Sequence, residues 1–118
     1  MAFHNTLGEK GEQCAAEFLL GKEYKILERQ WRFQHKEIDI IAEKDNVLIF
    51  IEVKTRTSEY WGNPEEFVDQ KKQRLLIAAA EQYVIEKNFD GESRFDIVSI
   101  VFNQQEINIE HITEAFYP

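Results

Sequence analysis

The sequence is poor in the residues that cross-link a chain, anchor it in a bilayer or hold it on a polyanion. Its 118 residues include a single cysteine, Cys14. No disulfide can form within the chain, and a reducing cytoplasm is the expected compartment. No apolar run approaches the roughly 20 residues that span a bilayer. The first residues lack a basic stretch followed by an apolar one, so no signal peptide is expected either. Basic residues are outnumbered, 14 against 22 acidic ones, for a net charge of −8. That balance excludes indiscriminate binding to a polyanion. Repeats and low-complexity segments are absent. With 43% hydrophobic and 31% charged residues, the composition is that of one ordinary water-soluble domain spanning 1–118.

The charge is unevenly spread. Residues 22–36 carry five basic and two acidic side chains, and residues 76–118 carry two basic and eight acidic. Contact with nucleic acid is therefore expected from the first region and from the Lys71-Lys72-Arg74 cluster. Arg29, Arg32, His35 and Lys36 lie beside Trp31 and Phe33, a mixture that suits phosphates and stacked bases. It equally suits an edge strand guarded by charge.

The stretch from Glu37 to Lys54 organises the chain. It reads as two strands around an Asp45-Asn46 turn, since Asp and Asn tolerate positive φ. Strand alternation puts Glu37, Asp39 and Ile41 on one face and Ile38, Ile40 and Ala42 on the other. Val47 to Ile51 is apolar throughout, as in a strand buried on both faces. If Lys44 faces Val47, then Asp39 faces Glu52 and Glu37 faces Lys54. Two carboxylates then converge with Cβ atoms roughly 5 Å apart, beside an ammonium. A cation between them relieves the repulsion, and oxygen ligands suit Mg²⁺ or Mn²⁺.

Around this hairpin the pattern predicts a helix from Asn5 or Thr6 to Leu20, with Leu7, Cys14, Ala15, Phe18 and Leu19 buried. Glu12 sits on it among small residues, where a solvent-facing Glu is the ordinary expectation. A first strand is predicted over Tyr24–Trp31, with Tyr24, Ile26 and Glu28 on alternate positions. After Lys54 a polar loop carries Arg56, within reach of a phosphate, and Tyr60 and Trp61, which suit stacking on a base or, more ordinarily, core closure. A long helix is predicted from Glu65 to Glu86 or Lys87, with Phe67, Leu75, Leu76, Ala79, Tyr83 and Val84 on its buried stripe. Strands follow over Phe95–Phe102 and Ile107–Ile112, and Ala115–Pro118 reads as a tail. The order α-β-β-β-α-β-β implies an α/β fold, a mixed sheet flanked by helices. Its third and fourth strands are parallel through the helical crossover.

These segments together resemble the PD-(D/E)xK nuclease superfamily, with its restriction-endonuclease-like fold. The residues concerned are Asp39, then Glu52-Val53-Lys54, with Glu12 on the preceding helix as in Holliday-junction resolvases. More closely, the chain resembles the YraN family of small bacterial proteins. Gly8 to Ala15 matches its Gly-x-x-Gly-Glu-x-x-Ala, and Lys36 to Ile41 its Gly-Glu-Ile-Asp-Leu-Ile. Phe50 to Arg56 matches Phe-Val-Glu-Val-Lys-x-Arg. Lys71 matches best a Lys opening the next helix, and Arg94 to Val98 matches Arg-Phe-Asp-Val-Val. Lys36 stands where the family usually has Gly, and Ile38 replaces the Pro of the superfamily name.

The resemblance implies a metal-dependent endonuclease. In it Asp39, Glu52 and the Val53 carbonyl would hold Mg²⁺ or Mn²⁺. Lys54 would act on the attacking water, and Glu12 would complete the shell. Arg29, Arg32, Lys36, Arg56, Lys71 and Arg74 would contact nucleic acid, DNA before RNA. Resolvase-type relatives act as dimers, so a homodimer is expected too. Two other readings stand beside it: a nucleic-acid-binding module without catalysis, and an adaptor whose acidic surface meets a protein.

Overall fold

A computed structural model describes residues 6–57, 68–104 and 106–118. The expected loop residues Tyr60 and Trp61, and Phe67 of the predicted helix stripe, lie outside the described residues. So does Asn5 as a cap.

Helix α1 (Leu7–Gly21) starts at Thr6, whose hydroxyl accepts from the Glu9 amide while Glu9 reaches back to the Thr6 amide. This reciprocal capping satisfies two of the orphan donors at a helix start. Strands β1 (Lys25–Phe33), β2 (Lys36–Lys44) and β3 (Val47–Thr57) follow. Then come helix α2 (Gln70–Lys87) and strands β4 (Glu92–Phe102) and β5 (Ile107–Phe116). The strands form one sheet in the order β1-β2-β3-β4-β5. Only β3 and β4 run parallel, because α2 carries the chain back between them.

The helices cover opposite faces, giving three layers and the expected restriction-endonuclease-like α/β class. On one face Ala15, Ala16 and Leu19 of α1 meet Ile40, Ile49, Ile51, Val53, Val98 and Ile100. On the other, Leu76, Ala79, Ala80 and Tyr83 of α2 meet Ile38, Ile41, Leu48, Phe50, Phe95 and Ile97. Each strand thus feeds two cores by its period of two. That explains the unbroken apolar runs of β3 and β4.

Several boundaries differ from the sequence reading. The described part of α2 begins at Gln70, because the Asp69 carboxylate caps it by accepting from the Lys72 amide at 2.8 Å. The last strand continues to Phe116, which is buried against Phe95, so Ala115 and Phe116 are not tail. Leu7 is exposed, while Ala16 and Gly11 are buried. The buried stripe of α1 is therefore rotated from the expected one. β1 runs from Lys25 to Phe33 and changes register between Ile26 and Glu28. Tyr24 and Ile26 face α1, whereas Glu28 turns to the Tyr83 hydroxyl on the α2 side.

Gly11 has a specific duty. A Cβ there would lie 2.8 Å from the Thr55 Cβ, so glycine lets α1 approach β3 and sets the depth at which Glu12 sits.

Candidate active site

The β2–β3 turn forms as the residue types dictate, with Asp45 at φ 52° and Asn46 at φ 63°. Lys44 faces Val47, and the ladder continues to Ile40 facing Ile51. The next rungs would have joined Asp39 to Glu52 and Glu37 to Lys54, but the recorded ladder ends. The Asp39 carboxylate instead accepts a hydrogen bond from the Val53 amide at 2.8 Å. A side chain has taken the place of a backbone partner.

β2 nevertheless stays paired with β1 as far as Lys36 opposite Phe33. β3 stays paired with β4 as far as Thr57 opposite Phe102. The sheet therefore forks, with Asp39 and Glu52 at the root of the two arms. The expected alternation of β2 breaks at the same place. Ile38 packs with Ile41 on the α2 side, not with Ile40. On β1, the residue that would face Asp39 is Gln30, which takes a left-handed φ of 52°. An αL backbone at a non-glycine inside a strand is strained. Both strands of this arm thus depart from regular strand geometry where the fork begins. The arm's own turn takes its left-handed φ at Gln34, so Lys36 needs no glycine and continues a regular strand.

Glu52 points to the α2 side and is 6% exposed. Burial, and then the neighbouring Asp39, push its carboxyl up to about 8. Asp39 is raised as well by burial, which outweighs the opposing hydrogen bond from Val53. The two carboxyls adjoin, and the charge of Asp39 acts on the Glu52 proton. Glu52 Oε2 lies 3.6 Å from the Lys72 ammonium. Glu52 Oε1 is buried without a hydrogen-bond partner among the described residues. A buried carboxylate oxygen lacking a donor is costly, and a proton or a cation would satisfy it.

Whether a divalent ion fits can be judged from the donors. In a strand, the N–H and C=O of one residue point to the same side. Val53 directs its N–H to Asp39, so its carbonyl faces the same gap. Two carboxylates and a carbonyl form a hard, all-oxygen set of the kind Mg²⁺ and Mn²⁺ accept, and Mg²⁺ ordinarily keeps several waters besides. Among the described residues no three His, Cys, Asp or Glu side chains form a metal-binding group. Glu12 is therefore not gathered with the pair into such a group. It still feels Asp39: burial and then the Asp39 charge raise its carboxyl. Gln30 Nε2 donates to Glu12 Oε1 at 3.2 Å, so Glu12 is held in place rather than left to solvent. An open cleft of about 850 Å³ runs along α1 past Glu12, Gln13, Arg29 and Gln30. It does not include Asp39 or Glu52, and Glu12 lies between cleft and pair.

The remaining expected residues divide. Lys54 is half-buried, two residues past Glu52 on the same face, and its charge acts on Glu52. Arg56 is half-buried and already has a partner. Arg29 Nη1 donates to Gln13 Oε1 at 2.9 Å. Arg32 is exposed and pairs with Glu37 at 3.4 Å, while Lys36 lies over the Phe33 ring. Lys71 and Arg74 are exposed on the first turns of α2. Beside Lys71, which the sequence reading matched to the family's helix lysine, it is Lys72 that reaches Glu52. Helical spacing carried the signal: Lys72, Leu76, Ala79 and Tyr83 share one face. His35 is an exposed turn residue.

The family's late Arg-Phe-Asp segment turns away from this site. Asp96 is fully buried, accepting from Arg94, from the Glu114 amide at 3.0 Å and meeting His111 Nε2 at 2.7 Å. This network fastens β5 to the sheet where their register shifts between Phe95 and Ile97.

Residues 11–100 match the model of the uncharacterised protein family UPF0102. The chain belongs to this family. The YraN-like resemblance is thereby shown, and the relatives cover nearly the whole chain. A UPF0102 protein of Flavobacterium psychrophilum is 50% identical over 99% of this chain and 98% of its own length. Another, from Christiangramia forsetii, is 50% identical over the same shares. One from Phocaeicola vulgatus is 48% identical over 100% of this chain and 98% of its own. Among the described residues of this UPF0102 protein, no helix is long and apolar enough to cross a membrane.

Proposed function

We propose that this UPF0102 protein is a divalent-metal-dependent endonuclease that hydrolyses phosphodiester bonds in nucleic acid. The observation that carries the reading is the Asp39–Glu52 pair at the root of the fork, Glu52 buried and Asp39 half-buried, with Glu52 Oε1 lacking a donor. A protein does not gain stability by burying one carboxylate beside another. Function is the natural reason to keep them.

Asp39, Glu52 and the Val53 carbonyl would hold Mg²⁺ or Mn²⁺, which supplies a Lewis acid for the scissile phosphate and an acidified water. Asp39 is oriented for this by the Val53 amide. Lys72 offsets the charge of Glu52 from the helix side. Lys54 would hold the attacking water and oppose the negative charge that develops on phosphate oxygens. Glu12, fixed by Gln30, would bind a water of the shell.

The test is cleavage of a labelled panel of single strand, duplex, flap, four-way junction and structured RNA with Mg²⁺ or Mn²⁺. Asp39→Asn keeps an acceptor for the Val53 amide, so it should fold normally and lose cleavage, as should Lys54→Ala. Cleavage retained by either purified variant refutes these assignments. Salt-sensitive binding without cleavage by the wild type would leave a non-catalytic binding module instead.

A further inference from the structure

The arm formed by β1 and β2 beyond the fork has no part in the chemistry just described. From Trp31–Ile38 to Phe33–Lys36 it is a two-stranded ribbon that has left β3. Residues 29–36 carry Arg29, Arg32 and Lys36 and no acidic side chain, in a chain of net charge −8. Arg32, Gln34 and His35 are exposed at its tip. A two-stranded ribbon is one of the two elements that the major groove of B-form DNA admits.

The aromatics of the ribbon argue for a duplex rather than a single strand. Single strands are held largely by stacking bases on free aromatic faces. Trp31 is engaged with Tyr83, with ring centroids 5.1 Å apart, and packs against the α2-side core. Phe33 stacks on Trp31 and lies under the Lys36 ammonium. What the tip offers outward is guanidinium, ammonium, amide and imidazole, the groups that meet phosphates and groove edges. The deep, narrow major groove of duplex RNA does not admit such a ribbon.

We propose that the β1–β2 ribbon is the element with which this protein docks on duplex DNA, Arg32 and Lys36 holding phosphates beside the groove. The inference rests on the nuclease reading for the choice of nucleic acid as partner. Lys36 lies three residues from Asp39, about 10 Å along an extended strand. That is about three base-pair steps of B-form DNA. The ribbon thus holds the duplex close enough for a backbone phosphate to enter the fork. Glu37 pairs with Arg32 at 3.4 Å and competes with DNA for it.

Binding is measured in EDTA, so that chemistry plays no part, by fluorescence anisotropy over a series of salt concentrations. The probes are a labelled 20-base-pair DNA duplex, the same duplex as RNA, and one of its DNA strands. The wild type should prefer the DNA duplex. The Arg32→Ala/Lys36→Ala double variant should lose about tenfold or more in affinity at low salt, with a shallower salt dependence by about one to two phosphate contacts. Arg32→Glu should lose more, and Glu37→Gln should bind more tightly. Arg32 is exposed and Lys36 half-buried, neither of them in the core, so unchanged melting temperatures are expected and verify folding. Equal or tighter binding of the single strand or of RNA overturns the proposal, as does an unchanged salt dependence in the double variant. Tip-dependent duplex binding without cleavage in Mg²⁺ or Mn²⁺ would sink the nuclease reading and keep the ribbon. Cleavage with tip variants binding like the wild type would do the reverse.

Discussion

Replacing Glu52 by Gln should make the metal-free protein more stable, and increasingly so as pH rises. Glu52 is held at about 8 against an ordinary 4.5, by burial first and Asp39 second. The folded state therefore binds this proton more tightly than the unfolded state. Its contribution is fully present below about pH 4.5 and is lost as pH rises through about 8. Across that window the wild type should lose up to about 1.4 kcal/mol per pH unit. The full rise corresponds to on the order of 5 kcal/mol. Side-chain relaxation and entry of water should leave about 2–4 kcal/mol, the effective scale for a buried charge with partial compensation. Gln does not titrate, has nearly the same shape, and ends the repulsion of Asp39. Urea or thermal unfolding in EDTA at several values between pH 5.5 and 9 reads the difference. The two proteins should differ least at pH 5.5 and separate by about 10 °C or more at pH 9, taking about 4 °C per kcal/mol. Adding Mg²⁺ or Mn²⁺ at pH 9 should raise the wild type towards the variant by mass action and leave the variant unmoved. Parallel pH profiles would refute the reasoning, because they would mean that Glu52 ionises in the folded state as it does in the unfolded one.

Three further outcomes follow from other contacts. Lys72→Met removes a cation that lowers the proton affinity of Glu52, so the pH midpoint of divalent-metal binding should move upward; an unmoved midpoint in calorimetric titrations would remove Lys72 from the site. Gly11→Ala should destabilise by about 1–3 kcal/mol through overpacking against Thr55. Gly8→Ala, whose nearest neighbour would be 3.9 Å away, should instead stabilise by up to about 1 kcal/mol, and equal melting shifts would contradict the difference in packing. Asp96→Ala should cost about 3–5 kcal/mol, because it strands Arg94, His111 and the Glu114 amide around a buried gap; a loss under 1 kcal/mol in urea unfolding would show the network to be slack.

The element order and the parallel pairing of β3 and β4 were legible in the sequence because hydrophobic period and length suffice for them. The hairpin register was legible too, since Asp45 and Asn46 specify a two-residue turn and a one-residue slip would turn every buried Ile outward. What the sequence could not show is where that register stops. Counting along an ideal ladder puts Asp39 across from Glu52, and the two do meet. They meet because the ladder has ended and the Asp39 carboxylate has captured the Val53 amide. A regular continuation would have used that amide, and the carbonyl beside it, in the sheet. No counting rule gives a positive φ to a glutamine in a strand, and Gln30 takes one at the rung where β2 stops pairing with β3. The choice of Lys72 over Lys71 was hidden for a related reason. It depends on the rotation of α2 about its axis, which Asp69 fixes as the cap.

The fork also explains why an acidic protein can have a nucleic-acid site at all. Asp39 and Glu52 sit at its root, and the buried Glu52 carboxyl is held protonated up to about 8, so the pair need not present two full charges to an approaching phosphate. Arg32 and Lys36 of the first region lie beyond it on the arm, and most of the acidic excess lies in residues 76–118. The net charge of −8 is therefore a poor guide to the local field, which falls off within about 10 Å at ordinary salt. With repulsion local to the root and attraction local to the arm, Asp39→Asn should leave duplex affinity in EDTA unchanged or tighter while the tip variants weaken it. A loss of affinity in Asp39→Asn comparable to that of the tip variants would show that the two regions do not act separately.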